Sequence, residues 1–306
     1  MDPLVTFIGL GQMGLAMSEN LLRYGNIGKP LTLYNRTKAK ADAHNARLGH
    51  CKVAESIAEA VSSSDIIWSC LQDEVAVEQT FEEIYSLSIE GKLFVDSSTI
   101  SPKAANFIAQ RVLDAGGEFV ALPVMGEPTM AISRSLTGIA SGSPAAVDRI
   151  RPYMQGVVCR NMIDLSGEDP EIALLLKLMG NFLILTTMET VAEVNTFAEK
   201  CGVGTMNMNK LMTAIFPNPP HAIYNHRMLS GEYYSAVPVV EVSKAITLAE
   251  HVMGLAKASS ASVKLYEVAL EHLRMVKEER GSAADVSGIY GVVRLESGLS
   301  FENVTE

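Results

Sequence analysis

The sequence predicts an α/β domain with a doubly wound, mostly parallel sheet, followed by an all-α C-terminal domain built on a long interdomain helix. Two observations support this order. Short apolar segments alternate with helical segments from Leu4 to Ile163, which is typical of parallel strands joined by helices. Beyond Gly202 the apolar residues follow a helical period only. We therefore predict domains at residues 1–166 and 167–306.

The alternation in the first half is regular. The predicted strands are Leu4–Ile8, Leu31–Tyr34, Ile66–Leu71, Leu93–Val95, Glu118–Ala121, Gly138–Ser141 and Val157–Ile163. The helices predicted between them are Leu15–Tyr24, Ser56–Val61, Val75–Tyr85, Pro102–Ala115 and Ala145–Met154. Because ligands of such sheets bind outside the carboxyl ends of the strands, we expect the functional site at that edge.

One long helix is predicted over Pro170–Cys201, with Gly202 as its stop. Its first half is apolar nearly all round, so we expect it to be buried on every side. Polar residues such as Lys177, Asn181 and Glu189 interrupt the apolar sequence, which argues against a membrane span.

Helices alone are predicted after this one. They are Thr205–Phe216, Pro238–Lys257, Ser262–Arg280 and Asp285–Leu295, and the prolines of Pro217–Pro220 stop the first. Many apolar positions lie along these helices, so we expect a homodimer in which the helical domains pack together.

Composition narrows the classes of function. The formal net charge of −10 argues against nucleic acid or an anionic membrane as a partner. The four cysteines have no C-x-x-C spacing and the six histidines form no ligand-spaced cluster, so we predict free thiols and no metal. An apolar strand begins at Leu4, which leaves no room for a signal peptide, and we expect a cytoplasmic protein.

A glycine-rich turn follows the first strand and opens the first helix. Its residues are Gly9-Leu10-Gly11-Gln12-Met13-Gly14. This G-x-G-x-x-G pattern, in the context of strand, turn and helix, predicts a dinucleotide-binding Rossmann domain. The first glycine allows the tight turn, the second lets the pyrophosphate approach the backbone, and the third lets the helix pack on the strand.

The end of the second strand predicts the cofactor. An acid there would bind the ribose 2′-hydroxyl of NAD, but this chain has Asn35-Arg36-Thr37. An amide, a guanidinium and a hydroxyl suit a 2′-phosphate, so NADP(H) is favoured over NAD. The alternative is an ordinary basic helix start. Leu71-Gln72 and Ser98-Thr99 follow later strands and are predicted on the cofactor's side.

The chain resembles the β-hydroxyacid dehydrogenase family, which includes 3-hydroxyisobutyrate dehydrogenases and glyoxylate/succinic semialdehyde reductases and is related to 6-phosphogluconate dehydrogenases and imine reductases. The resemblance covers nearly the whole chain. Its marks are residues 7–22, 95–102, 123–128 and 177–181, with Lys244 and the following Leu248-Ala249. It implies that Lys177 is the catalytic lysine and Asn181 a substrate-positioning amide. It also implies that Thr99 lies beside the nicotinamide and substrate, and Lys244 near the cofactor.

The chain departs from the family at the substrate segment. The family's aspartate-alanine-proline-valine-serine-glycine-glycine appears here as Ala121-Leu122-Pro123-Val124-Met125-Gly126-Glu127. Val124, Met125, Gly126 and Glu127 are the predicted substrate pocket. A thioether and an acid are poor receptors for a small carboxylate. The resemblance therefore predicts the reaction class more firmly than it predicts the substrate.

The resemblance and the residues together predict hydride transfer between NADP(H) and the carbonyl or alcohol carbon of a 3-hydroxy-acid-like or related substrate, with Lys177 as general acid and base. Two other functions stay open. One is imine reduction on the same fold, and the other is a cofactor-binding scaffold without turnover. For Lys177 the structural alternative is a snorkelling lysine beside a core amide.

Overall fold

The computed structural model describes residues 2–216 and 222–303. The chain divides into two compact units, Met1–Lys177 and Leu178–Glu306. This division falls inside the long helix, whereas the domain boundary predicted at 166/167 coincides with the end of the last strand. That helix begins in one unit and ends in the other. The helix stop predicted at Pro217–Pro220 lies outside the described residues.

The first unit is built on one sheet, which has nine strands among the described residues. They are β1 (Leu4–Ile8), β2 (Gly28–Tyr34), β3 (Cys51–Val53), β4 (Ile66–Ser69), β5 (Leu93–Asp96), β6 (Glu118–Ala121), β7 (Val124–Met125), β8 (Leu136–Gly142) and β9 (Cys159–Ser166). The order is β3-β2-β1-β4-β5-β6-β8-β7, and β9 also pairs with β8. β1 to β6 are parallel, whereas β8 is antiparallel to β6 and β7. The mostly parallel sheet is confirmed.

Helices connect these strands. They are α1 (Gln12–Tyr24), α2 (Lys38–Leu48), α3 (Ile57–Ser62), α4 (Glu74–Ile84), α5 (Pro102–Asp114), α6 (Pro128–Ile132), α7 (Pro144–Ile150), a 3₁₀ turn (Arg151–Tyr153) and the long α8 (Pro170–Lys200). The sequence prediction had no α2 and no α6. α2 buries only Ala41 and His44 and therefore has almost no apolar period. α6 is too short to show one.

Side chains alternate between the two faces of the sheet. On β1, Val5 and Phe7 pack into one apolar cluster, whereas Ile8 packs into another. α1 packs on the first face, and α3, α4 and α5 pack on the second. The second cluster also contains Ala173 and Leu174, from the first turns of α8. Both faces are therefore covered, as a parallel sheet requires.

The strand order reverses between β1 and β4. From β1 the chain proceeds to β2 and β3 on one side, and from β4 to β5 and β6 on the other. The loops that follow β1 and β4 therefore lie side by side at the carboxyl edge. This is the position where open α/β sheets bind ligands.

The second unit contains only helices among its described residues. They are α9 (Thr205–Ile215), α10 (Ala222–Ser230), α11 (Glu232–Ser235), α12 (Val242–Ala258), α13 (Lys264–Arg280), a 3₁₀ turn (Val286–Gly288) and α14 (Ile289–Glu296). The predicted helix start at Pro238 is wrong. Val239 donates its backbone N–H to the carboxylate of Asp285 at 2.7 Å, and Glu241 pairs with Asp285 as an isolated bridge, so the helix begins only at Val242.

The prediction that the first half of α8 is buried on every side is also wrong. Met179 and Leu183 are 60% and 65% exposed within this chain. α8 is long and apolar enough to cross a membrane by length and composition, a test that core helices of soluble proteins also pass. Its buried Glu189 carboxylate lies 2.8 Å from Nδ1 of His272 on α13. This contact is typical of a helix within a protein core.

Candidate active site

The glycine-rich turn after β1 is required by the fold at two of its three glycines. Gly9 has φ +94°, and a Cβ there would lie 2.4 Å from the carbonyl oxygen of Cys70. A Cβ on Gly14 would lie 2.0 Å from the carbonyl oxygen of Gly9. Neither contact is possible for a larger residue, because both neighbours are backbone. The helix consequently packs directly against the turn.

Gly11 differs from the other two glycines. A Cβ on Gly11 would meet nothing within 4 Å, so the protein itself does not require glycine there. Gly11 is also the N-cap of α1, and no side chain caps this helix. Its first backbone N–H groups are therefore available to an anion. The turn and the helix start fit the pyrophosphate of a dinucleotide, with open space where Gly11 carries no side chain.

Asn35 at the end of β2 ties this turn to the next loop. Its Oδ1 accepts a hydrogen bond from the backbone N–H of Leu10 at 2.9 Å, and its Nδ2 donates to the carbonyl of Thr37 at 3.0 Å. The amide is therefore engaged at both ends within the protein. Arg36 and Thr37 are exposed, and the Arg36 guanidinium has no hydrogen-bond partner among residues 2–216 and 222–303. The role of these two residues in binding a ribose or its phosphate remains a prediction.

A buried carboxylate joins the ends of β4 and β5. Oδ1 of Asp96 accepts hydrogen bonds from the hydroxyls of Ser69 and Ser98, each at 2.7 Å. The Ser98 hydroxyl in turn accepts the backbone N–H of Leu71 at 2.8 Å. Burial raises the pKa of Asp96 above its usual range. The network fixes the loops that carry Leu71-Gln72 and Ser98-Thr99.

This network was not predicted. The sequence indicated Leu71, Gln72 and Thr99 by their place after strands, and Thr99 lies half-buried there. The available signal for Asp96 and Ser69 was that each closes an otherwise apolar strand. Buried polar side chains need hydrogen-bond partners whether or not they take part in chemistry, and the Ser69 hydroxyl and the Asp96 carboxylate are partners of each other.

Lys177 is buried without a carboxylate partner. Its side chain is 8% exposed, and its Nζ donates to the backbone carbonyl of Val124 at 2.7 Å. No salt bridge to Lys177 occurs within the described part of the chain. Burial lowers the pKa of Lys177 to about 8. A carbonyl satisfies one of the three ammonium donors, so the group retains donors for another acceptor.

The predicted substrate segment begins at Val124, whose carbonyl accepts the hydrogen bond from Lys177. Val124 and Met125 form β7, and Gly126 follows with φ +132°. Met125 and Glu127 are half-buried, whereas Gly126 is exposed. Lys177 therefore contacts the strand at one end of the predicted pocket, and Met125 and Glu127 continue from that point.

Two predicted residues lie in the second unit. Asn181, one helical turn after Lys177 on α8, is half-buried, and its Nδ2 is a buried donor without a hydrogen-bond partner among the described residues. The Lys244 ammonium is exposed and lies 3.0 Å from the carboxylate of Glu241. The roles of Asn181 and Lys244 remain predictions.

The second unit also holds a cavity of about 370 Å³ between α9 and α10. None of the predicted site residues lines it. Two of its lining residues, Asn209 and Asn225, belong to a chain of amides: Asn195 donates to Asn225 at 2.8 Å and Asn225 donates to Asn209 at 2.7 Å. The sequence offered one signal for this cavity, which is the presence of asparagines within helical segments. The helical period alone does not show whether such asparagines are buried or lie on the surface.

Comparison with known proteins identifies the family. The family model that describes the NAD-binding domain of 6-phosphogluconate dehydrogenase matches residues 4–163. The NADH-dependent oxidoreductase ucdB of Aspergillus ustus is 60% identical over 294 residues, which cover 96% of this chain and 100% of that protein. The chain belongs to the β-hydroxyacid dehydrogenase family. It is an NAD(P)-dependent oxidoreductase of the dehydrogenase/reductase type.

Solved structures show the same fold. The 3-hydroxyisobutyrate dehydrogenase of Mycobacterium tuberculosis has a TM-score of 0.83 at 21% identity, covering 96% of this chain and 100% of that one. An imine reductase from Pseudomonas sp. has a TM-score of 0.63 at 21% identity, covering 95% and 99%. At these identities the likeness concerns the fold alone. It agrees with the predicted order of a Rossmann domain and a helical domain.

The two kinds of glycine generate a prediction. Gly14→Ala should lower the free energy of unfolding by about 1–3 kcal/mol, because its methyl group collides with backbone. Gly11→Ala should change it by about 0.5 kcal/mol or less, yet weaken NADPH binding by about tenfold or more. Urea denaturation and titration of NADPH fluorescence measure the two quantities. Unchanged NADPH affinity in Gly11→Ala would contradict the placement of the pyrophosphate.

Proposed function

We propose that this enzyme transfers a hydride between NADP(H) and the carbonyl or alcohol carbon of a 3-hydroxy-acid-like or related carbonyl substrate, with Lys177 as general acid and base. The observation that supports this most is the buried Lys177 ammonium, whose sole described hydrogen-bond partner is the Val124 carbonyl. A buried charge without a counter-ion costs stability. Such a group, with a pKa moved towards neutral pH, is a candidate for proton transfer.

The chain's own residues have distinct parts in this proposal. When bound, the reduced nicotinamide supplies the hydride. Lys177 donates a proton to the carbonyl oxygen as negative charge develops there, and takes it back in alcohol oxidation. Asn181 orients the substrate, and Thr99 lies beside the reacting groups. The backbone of Gly9–Gly14 holds the pyrophosphate, and Lys244 adds positive charge near the cofactor.

NADPH is the proposed cofactor because of Arg36 and Thr37. Both side chains are exposed at the end of β2, where the second ribose of a dinucleotide binds, and neither is an acid. The guanidinium is the strongest available group for a 2′-phosphate. NADH is the alternative, since the 60% identical relative is named as an NADH-dependent oxidoreductase.

Imine reduction is the second candidate reaction. It is favoured by the fold likeness to the Pseudomonas imine reductase and by the altered substrate segment at Met125 and Glu127. NADPH consumption against a panel of aldehydes, keto acids and imines discriminates the two reactions. The alternative of a cofactor-binding scaffold without turnover is not favoured, because the 60% identical relative is named as an oxidoreductase.

A homodimer is proposed for the second unit. Exposed apolar side chains lie along its helices, among them Leu183 and Phe197 on α8 and Leu211 and Ile215 on α9. Exposed apolar side chains that lie on the same helices are typical of a protein–protein interface. A second copy of the chain would cover it.

The cofactor proposal predicts tighter binding of NADPH than of NADH, by about 1–3 kcal/mol, if Arg36 makes a charge-assisted contact to the 2′-phosphate. Arg36→Ala combined with Thr37→Ala should abolish the difference. Lys38→Ala is the matched control, because Lys38 is already paired with Asp42 at 2.9 Å. Fluorescence titration of both cofactors measures the affinities. Equal affinities in the unaltered protein would refute the preference.

The proton-transfer proposal predicts that Lys177→Met lowers kcat for carbonyl reduction by about 10²–10⁴-fold and leaves NADPH affinity unchanged. Methionine keeps the apolar stem. Lys177→Arg should also fail, because a guanidinium does not release its proton near neutral pH. Asn181→Ala should have a smaller effect. Turnover by Lys177→Met at nearly the original rate would show that Lys177 is structural.

The pKa of about 8 at Lys177 also fixes the direction of the pH dependence. Carbonyl reduction needs the protonated amine, so its rate should fall as the pH rises through 8, whereas alcohol oxidation should rise. The unfolded chain keeps this proton up to its ordinary pKa of 10.5, so the group makes the free energy of unfolding increase with pH between these two values. Lys177→Met should lose both dependences.

The assembly proposal predicts at least a dimer in light scattering at micromolar concentration. Leu183→Lys should shift the protein towards monomer, because it places a charge in the apolar surface. Val75→Lys on α4 is the control, since Val75 is equally apolar and exposed but lies in the first unit. An active monomer in the unaltered protein would end this proposal.

A further inference from the structure

The substrate segment is held rigidly on both sides. Met125 pairs with Thr137 of β8, and a Cβ on Gly126 would lie 2.7 Å from the Leu136 side chain. Beyond Gly126, Nδ2 of Asn20 on α1 donates to the carbonyl of Ala131 on α6 at 2.8 Å. The backbone from β7 to α6 is therefore fixed, and the character of the pocket here depends on side chains.

Met125 lies on the same side of the sheet as the start of α8. Val124 packs into the apolar cluster on one face, whereas Met125 packs against the cluster on the other face. That second cluster includes Ala173 and Leu174, which precede Lys177 by one turn. The surface that a substrate meets next to Lys177 is consequently apolar and deformable, because a thioether adapts its shape.

Glu127 adds a negative charge without a counter-ion. Its Oε1 accepts a hydrogen bond from the Thr129 hydroxyl at 2.7 Å, and the carboxylate forms no salt bridge with any described residue. The side chain is half-buried, so solvent screens it incompletely. A substrate carboxylate bound beside it would meet like charge, and Met125 offers it no hydrogen-bond donor.

We propose that the substrate is an uncharged ketone or aldehyde that has no carboxylate near its carbonyl group and places an apolar substituent against Met125. This rests on the proposed function and selects, from its substrates, the related carbonyl compounds over the 3-hydroxy acids. The reduced cofactor gives a hydride to the carbonyl carbon, and Lys177 gives a proton to its oxygen. Two electrons and two hydrogens convert the carbonyl to an alcohol. The cofactor leaves oxidised, and solvent restores the Lys177 proton.

The test compares succinic semialdehyde with its methyl ester, which differ at the carboxyl group alone, using NADPH and NADH. We expect kcat/KM for the ester to exceed that for the acid by about tenfold or more. Glu127→Gln keeps the size of the side chain and removes its charge, and Met125→Ser supplies a hydroxyl. Both changes together should raise kcat/KM for the acid by about tenfold and lower it for the ester, which loses its apolar contact with Met125, so the ester-to-acid ratio should fall by about tenfold or more.

Glu78→Gln on α4 is the charge control, since it removes an exposed acid outside the segment and should leave the ratio unchanged. An unaltered enzyme that uses the acid as well as the ester would overturn the proposal. So would Met125 and Glu127 variants whose ratio does not change. Higher activity with a cyclic imine than with either aldehyde would also overturn it, in favour of imine reduction.

A binding measurement separates this proposal from the proposed function. Butanoate and butanamide are titrated into the NADPH-loaded protein, with cofactor fluorescence as the readout. If the amide binds more tightly than the acid, and Glu127→Gln reduces this preference, the exclusion of carboxylates is supported. This conclusion holds even if neither aldehyde is turned over, a result that would contradict only the proposed carbonyl reduction. Equal binding of the two compounds overturns the exclusion of carboxylates.

Discussion

The hydrogen bond from Lys177 to the Val124 carbonyl is the constraint on which the site depends. It buries an ammonium against a strand at the edge of the sheet, with no carboxylate to offset the loss of hydration. A lysine with only a packing role would reach solvent with its amine, as long charged side chains generally do. This amine instead donates to the backbone carbonyl of Val124, the first residue of the predicted substrate segment. The first turns of α8 must therefore pack on the sheet, and Ala173 and Leu174 do so.

The carboxyl edge of the sheet is organised by polar side chains that bind backbone. Asn35 joins the loop after β2 to the loop after β1, and Ser98 joins the loop after β5 to the loop after β4. Each bond fixes one loop relative to its neighbour before any ligand arrives, which reduces the ordering that binding would require. The buried Asp96 carboxylate stabilises this arrangement by accepting hydrogen bonds from Ser69 and Ser98. Because Asp96 is buried, the loss of either serine would leave its carboxylate short of a partner.

The sequence contained most of the fold but less of the site. Alternating apolar segments and the glycine-rich turn were sufficient for the sheet and its helices, because buried parallel strands are nearly continuous in apolar residues. The three-residue strand β3 and the polar helices α2 and α10 have too weak a period to be seen. Asn35 was predicted to suit a 2′-phosphate together with Arg36 and Thr37. Its amide also bonds turn backbone at both ends, which the sequence pattern did not indicate, and its part in cofactor binding stays a prediction.

The exposed residues of α8 show a further limit of sequence patterns. Apolar period reports that a face avoids water, but it does not report which surface covers it. Met179 and Leu183 have the same apolar character as the buried Leu178 and Leu185 on the same helix. The difference depends on tertiary packing, which local sequence does not encode. A similar limit applies to Met125 and Glu127. The fold fixes their backbone but does not determine which side chains stand at these positions, and the chemistry of the segment depends on those side chains.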